Sequence, residues 1–294
     1  MEASLSQLVR VSCNTCGSDK QEVLFQKEGY NIVECPECQL IFVNPRKQDV
    51  ISIYDESYYK DGGYYQNYIK NGDNYKWAFS NRIKVIGKYL RPAATILDIG
   101  CAYGFFLEIA QQNGFQVEGL EVNQYMMNHV KERLGVPCHL CPDLTAFQNN
   151  KQYDCITFFD SIEHLEKPKE SIAKAWEMLK PEGILVITTP NIDSFSAKVM
   201  GKLWPHVTPE EHIYYYSPKT MTDVLNRCGF DVLHISGVSY KFKLSEFVPK
   251  FKSISGILFS LAARLEKAFP HFFQKSIGLN LGDIFVIAKK RDTK

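Results

Sequence analysis

The chain has 294 residues, 45% hydrophobic and 23% charged, enough for one large α/β domain with a small appendage. Thirty-four basic side chains stand against 33 acidic ones, for a net charge of +1, so no global basic field points to a nucleic-acid partner. No run of about 18 apolar residues suggests a spanning helix, and nine cysteines without an export signal fit thiols or metal ligands in a reducing, cytoplasmic setting.

Residues 1–45 are turn-rich and bear cysteines, with short strands expected at Glu22–Gln26 and Leu40–Val43. Cys13-x2-Cys16 and Cys35-x2-Cys38 form two knuckles 18 residues apart, the spacing of a four-thiolate zinc site. Gly17 and Pro36 supply the turn chemistry, and a segment this small needs a metal staple. A closed four-cysteine site leaves no open coordination position, so the zinc is expected to be structural. Residues 46–76 form a tyrosine-rich connector, and Tyr54, Tyr58, Tyr59, Tyr64, Tyr65 and Tyr68 suit either a flap or packing against the core. A helix is expected from Trp77 to Leu90, ending at Arg91-Pro92, with the main domain running from residue 77 to 294.

From Ala93 strands and helices alternate. Thr95–Ile99, Gln116–Glu121, Tyr153–Phe159 and Gly183–Thr188 read as buried strands, and Phe105–Asn113 and Lys169–Lys180 have helical periodicity. This is the pattern of βαβ units in a doubly wound parallel sheet covered on both faces. Phe230–Gly237 and Asp283–Lys289 fit a terminal antiparallel pair. Cys138-x2-Cys141 has no companion pair and is read as two core thiols.

The functional signal is Leu97-Asp98-Ile99-Gly100-Cys101-Ala102-Tyr103-Gly104, a strand running into a glycine-bearing loop with a helix at once behind it. Glycine permits positive φ and close approach of a ligand, and the helix start offers free N–H groups. Glu121 ends the next strand, where a carboxylate can accept from both hydroxyls of a ribose. A nicotinamide dinucleotide would want GxGxxG; the loop here is GxxxG, which favours adenosine without a pyrophosphate.

LDIGCAYG with Glu121, then YDCITFFDSIEHLEKP, then LKPEGILVITTPN, resembles the class I S-adenosylmethionine-dependent methyltransferases from about Trp77 onward. The resemblance implies a seven-stranded Rossmann-like sheet whose last strand is antiparallel. It also implies that Asp98, Gly100 and Gly104 border the methionine end of the cofactor, with Cys101 in the same loop. Glu121, followed by Val122, would hold the ribose, Asp143 and Leu144 would flank the adenine, and Phe159 and Asp160 would face the sulfonium. Ala102 departs from the usual glycine of the motif.

A closer resemblance is to sugar C-methyltransferases and related enzymes of natural-product and surface-polysaccharide pathways, which join an N-terminal zinc domain to this core. Their Tyr-x-Glu-His motif reads Pro209-Glu210-Glu211-His212 here, and their further C-terminal domain is not expected. His212 is the implied base, with Glu211 supporting it; His164 and Asp160 are secondary candidates for contact with the reacting groups. The expected function is transfer of a methyl group from S-adenosylmethionine to a carbon or oxygen of a small-molecule acceptor, a sugar or other natural-product or cell-surface precursor. An inert core that serves a zinc-ribbon binding module, for a protein or nucleic-acid partner, is the alternative.

Residues 241–280 interrupt the terminal strand pair. Phe251, Ile254, Leu258, Leu261 and Leu265 recur at helical spacing, and residues 241–275 carry seven basic against two acidic side chains. This helix is expected to serve as a lid, a dimer contact or a peripheral membrane contact through residues 250–270 at the inner face of the membrane.

Overall fold

The structure, a computed structural model, describes residues 8–54, 68–248, 256–280 and 282–292. Tyr58, Tyr59, Tyr64, Tyr65, Phe251 and Ile254 lie outside the described residues.

The N-terminal part holds β1 (Leu8–Val9), β2 (Glu22–Lys27), β3 (Tyr30–Glu34), β4 (Ile41–Val43) and β5 (Arg46–Lys47). Helix α1 (Gly72–Ile86) precedes the α/β domain. It begins five residues before the expected start, at Gly72, where a Cβ would lie 2.7 Å from the Phe105 ring. It ends at Ile86 rather than Leu90, the chain tightening there into a turn with Gly87 N–H on the Ile83 carbonyl and Lys88 N–H on that of Val85.

The alternating region follows as β6 (Thr95–Ile99), α2 (Phe105–Gln112), β7 (Gln116–Glu121), α3 (Gln124–Leu134), β8 (Cys138–Leu140), β9 (Tyr153–Phe159), α4 (Pro168–Met178) and β10 (Leu179–Pro190). After it come α5 (Phe195–Met200), β11 (Tyr214–Tyr215), α6 (Pro218–Arg227) and β12 (Phe230–Gly237). Local chemistry marks the helix ends. The Asn123 side chain accepts from Met126 N–H to open α3, Gly135 closes it at φ 66°, and Ser217 with Thr220 forms a capping box ahead of α6.

The insertion contributes β13 (Tyr240–Lys243), α7 (Gly256–Ala268), α8 (Pro270–Phe273) and β14 (Ser276–Leu279), and β15 (Asp283–Lys290) closes the fold. The main sheet has seven strands in the order β12-β15-β10-β9-β6-β7-β8. Strands β10, β9, β6, β7 and β8 run parallel, and β15 is antiparallel to both its neighbours, as the resemblance implied. The central strands are buried along almost their whole length, which explains their continuous apolar runs. Strands β13 and β14 pair with each other outside this sheet.

The N-terminal sheet does not close on its own segment. Its order is β11-β4-β3-β2, so Tyr214 and Tyr215, far along the chain, supply its outer strand. Further bonds tie the two parts together. Asn14 accepts from Lys169 N–H at 2.8 Å and donates to Glu170, Arg46 donates to the Glu166 carbonyl, and Lys27 donates to the Val207 carbonyl. Tyr30 donates to Glu210, and Lys47 pairs with the same carboxylate at 3.0 Å. One hydrophobic core therefore includes Ile32, Leu40 and Phe42 of the ribbon together with Trp204, Val207 and Ile213.

Among the described residues no helix is long and apolar enough to cross a membrane. In the insertion Leu261, Leu265, Phe269 and Phe272 are exposed, so these apolar residues do not cover the sheet.

Candidate active site

A cavity of about 500 Å³ opens at the carboxyl ends of the parallel strands, where ligands of open α/β sheets bind. The β6–α2 loop forms one wall. Gly100 and Cys101 both donate their N–H to the Leu120 carbonyl, and Gly100 takes φ 74°, a left-handed conformation that glycine adopts freely. Ala102 sits at φ 47°, which accounts for the glycine usual at this position. Its N–H donates to Glu121 Oε2 at 2.8 Å, and Asn123 N–H donates to Oε1 at 3.0 Å. Glu121 thus braces the loop and lines the cavity with the same carboxylate.

Asp98 lies at the bottom of this end. Burial pushes its carboxyl up to about 7, aided by the charge of Glu121 and opposed by the Thr157 hydroxyl, which donates to Asp98 Oδ1 at 2.6 Å. Val122, Asp143, Phe159 and Asp160 line the cavity as expected. Asp143 also accepts from Thr145 and Ala146 N–H, fixing the turn after β8.

Two expected cofactor residues do not line the cavity. Leu144 is fully buried in the hydrophobic core, since its side chain leaves the turn away from Asp143. Gly104 faces Val130 and Leu134 of α3; its φ of 78° starts α2 and lets the two helices pack closely. Cys138 and Cys141 are buried, as read from the sequence; Cys138 Sγ lies 3.6 Å from that of Cys101, and Cys141 also borders the cavity.

Three histidines crowd the other end. His212 Nδ1 lies 2.8 Å from the His206 carbonyl, which can only accept. The ring therefore carries its proton on Nδ1 and leaves Nε2 bare. Burial drives the His212 pKa well below its ordinary value, and the neighbouring His164 and His206 add to the effect. His164 Nδ1 contacts both the Tyr54 hydroxyl at 2.7 Å and the Glu211 carbonyl at 2.9 Å, and burial lowers its pKa to about 4. The rings of His164 and His212 meet edge to face, 4.7 Å between centroids.

The role expected of Glu211 is corrected here. Its carboxylate does not orient His212; the His206 carbonyl does so, while the main chain of Glu211 positions His164. Of the tyrosine cluster, Tyr54 and Tyr68 line the cavity. Residues without a motif complete the wall: His206, Tyr240 and Asp283. Arg82 stands behind them, its Nη2 donating to the Tyr240 hydroxyl at 3.0 Å. Asp283 starts the antiparallel β15 opposite Pro190, so it arrives at the same sheet edge as the parallel strand ends.

In the ribbon the sulfurs of Cys13 and Cys38 are 3.4 Å apart and those of Cys16 and Cys35 3.5 Å apart, and all four lie within 4.8 Å of one another. Tetrahedral zinc with bonds of about 2.3 Å spaces its sulfurs by roughly 3.8 Å, so the four thiols fit the ion.

Residues 72–235 match the family described as a methyltransferase domain, more than half of the chain. The chain belongs to this family. It is an S-adenosylmethionine-dependent methyltransferase, and the alternative of an inert core gives way. This methyltransferase is similar to the ubiquinone biosynthesis O-methyltransferase of Coxiella burnetii, 24% identical over 177 residues that cover 54% of this chain and 75% of the relative. Its fold is similar to that of Haemonchus contortus phosphoethanolamine N-methyltransferase 2 solved with S-adenosyl-L-methionine. That likeness has TM-score 0.53 and 16% identity, over 86% of this chain and 63% of that one. A Thermotoga maritima S-adenosylmethionine-dependent methyltransferase matches with TM-score 0.52 and 14% identity, over 80% and 98% of the two chains.

Proposed function

We propose that this methyltransferase acts on a carbon or oxygen of a small-molecule acceptor, a sugar or other natural-product or cell-surface precursor, with His212 as general base. The observation that carries the reading is one continuous cavity with Glu121 and the glycine loop at one end and a bare imidazole nitrogen at the other.

S-adenosylmethionine, when bound, supplies a methyl group already made electrophilic by a positively charged sulfur. The residues present fit it: Asp98, Gly100, Cys101 and Ala102 would border the methionine end, Glu121 and Val122 would take the ribose, and Asp143 would border the adenine. Phe159 and Asp160 face the middle of the cavity. What remains for the protein is alignment and removal of one proton. His212 Nε2 would accept the proton of the acceptor hydroxyl or acidic C–H. Burial keeps the ring neutral at physiological pH, so Nε2 is free of a proton.

Cys13, Cys16, Cys35 and Cys38 would hold a structural zinc ion that stiffens the ribbon against the 204–216 segment, and through it His206 and His212. We assign peripheral contact with an anionic membrane face to residues 250–270, because Leu261 and Leu265 stand exposed beside Arg264 and Lys267. Nine cysteines read as thiols or metal ligands support a reducing, cytoplasmic location.

Calorimetry with S-adenosylmethionine followed by turnover of His212→Ala tests the central reading. Cofactor affinity should stay within twofold while turnover falls by about 10²- to 10⁴-fold. Unchanged turnover would remove His212 as the base, and absent cofactor binding would sink the whole reading.

A further inference from the structure

The acceptor end of the cavity is short of positive charge. Asp160, Glu163, Glu211 and Asp283 line it, and no lysine or arginine does so among the described residues. The three histidines beside them are held neutral by burial. Arg82 is the nearest guanidinium, and it acts on Asp160 and Asp283 from behind Tyr240. One cation therefore serves two of the four carboxylates, those of Asp160 and Asp283.

Two carboxylate oxygens at this end have no hydrogen-bond partner among the described residues: Glu163 Oε2 and Asp283 Oδ1, on residues 1% and 5% exposed. Leaving such buried atoms unpaired is costly, more so when they are charged, and an occupant that satisfies them is favoured. Their surroundings offer few donors, the Thr189 hydroxyl beside Glu163 and the Tyr240 hydroxyl beside Asp283, and no cation in contact among the described residues. A ligand atom from each of Glu163, His164 and His212 lies within 4.8 Å of the other two, and His206 Nε2 is 3.8 Å from Asp283 Oδ1. The occupant must bring donors and positive charge. A phosphate or carboxylate would meet like charge and no donor fork.

We propose that the methyl acceptor carries an amino group, bound as the ammonium ion by Glu163 and Asp283 with Asp160 adding to the field. The inference rests on the cavity being the acceptor site and names the chemical class that fills it. The ammonium supplies three N–H donors and one positive charge, and it anchors the acceptor so that a neighbouring hydroxyl or carbon faces His212 Nε2. The carboxyls of Glu163 and Asp283 are both pushed up by burial and by the charge of Asp160, the latter to about 7. A bound cation relieves that pressure and ionises them.

The test is calorimetry on the full chain saturated with S-adenosylhomocysteine, using matched probes: trans-4-aminocyclohexanol against cyclohexane-1,4-diol, and glucosamine against glucose. The amine of at least one pair should bind tenfold or more tighter than its neutral partner. Glu163→Gln and Asp283→Asn, made separately so that a folding defect in one leaves the other informative, should each cut that preference to below threefold. Equal or absent binding of both members in both pairs overturns the proposal, as does micromolar binding of manganese alone that excludes the amine. If S-adenosylhomocysteine itself fails to bind, the fault lies with the cofactor reading instead.

Discussion

Replacing His164 by glutamine isolates the electrostatic cost of the histidine cluster. His164 faces the Tyr54 hydroxyl, the Glu211 carbonyl, the Asp160 carboxylate and the ring of His212, and its folded pKa is about 4 against 6.5 in an unfolded chain. The unfolded state therefore binds a proton that the folded state refuses, and stability falls as pH drops from about 6.5 toward 4. Integrating the linkage between pH 7 and pH 5 gives a loss of about 2 kcal/mol from this group. Asp98 and Asp283, with folded values of about 7, act in the opposite sense over the same window, but they do so equally in both proteins and cancel in the comparison. Glutamine cannot take up the proton and can still reach the same two oxygens. Urea unfolding followed by circular dichroism at pH 7 and pH 5 should thus show wild type losing about 2 kcal/mol more than His164→Gln. Equal losses, within about 0.5 kcal/mol, would refute the burial of a neutral imidazole here.

Cys16→Ser should lower zinc content, measured by atomic absorption, and cut turnover at least tenfold, while S-adenosylmethionine affinity stays within twofold; a zinc-free protein of full activity would contradict it. Glu121→Ala removes the acceptor for Ala102 and Asn123 N–H as well as the proposed ribose contact. Hydrogen bonds to charged groups contribute about 1.5–3 kcal/mol, so the cofactor dissociation constant should rise by roughly 10- to 100-fold in calorimetry. Gly104→Ala forces a side chain into φ 78° and against Val130, and should cost about 1–2 kcal/mol, visible as a lower melting temperature with cofactor binding retained.

The periodic elements were legible in the sequence because the central strands are buried on both faces and several helix ends carry a capping residue. Thr95–Ile99, Gln116–Glu121 and Tyr153–Phe159 match their expected bounds residue for residue. The glycine-loop end of the cavity was legible for a related reason: loop, helix start and acid are all set by local chain order. The histidine end was not. Asp283 and Tyr240 reach it only through the antiparallel return of β15 and the pairing of β13 with β14, contacts across long sequence separations that no spacing reveals. Neighbours in sequence also misled. Glu211 adjoins His212, yet the His206 carbonyl holds the ring, and Leu144 adjoins Asp143 but points into the core.

The partnership of Tyr214 and Tyr215 with β4 has a bearing on biosynthesis. The ribbon strands up to Lys47 are made before Tyr214 and Tyr215, and their sheet stays one strand short until about 170 further residues have been made. Thiols could gather a metal ion at once, but the apolar face of β4 must wait. Severing the ribbon genetically would then strip a template from the histidine segment rather than remove an independent module.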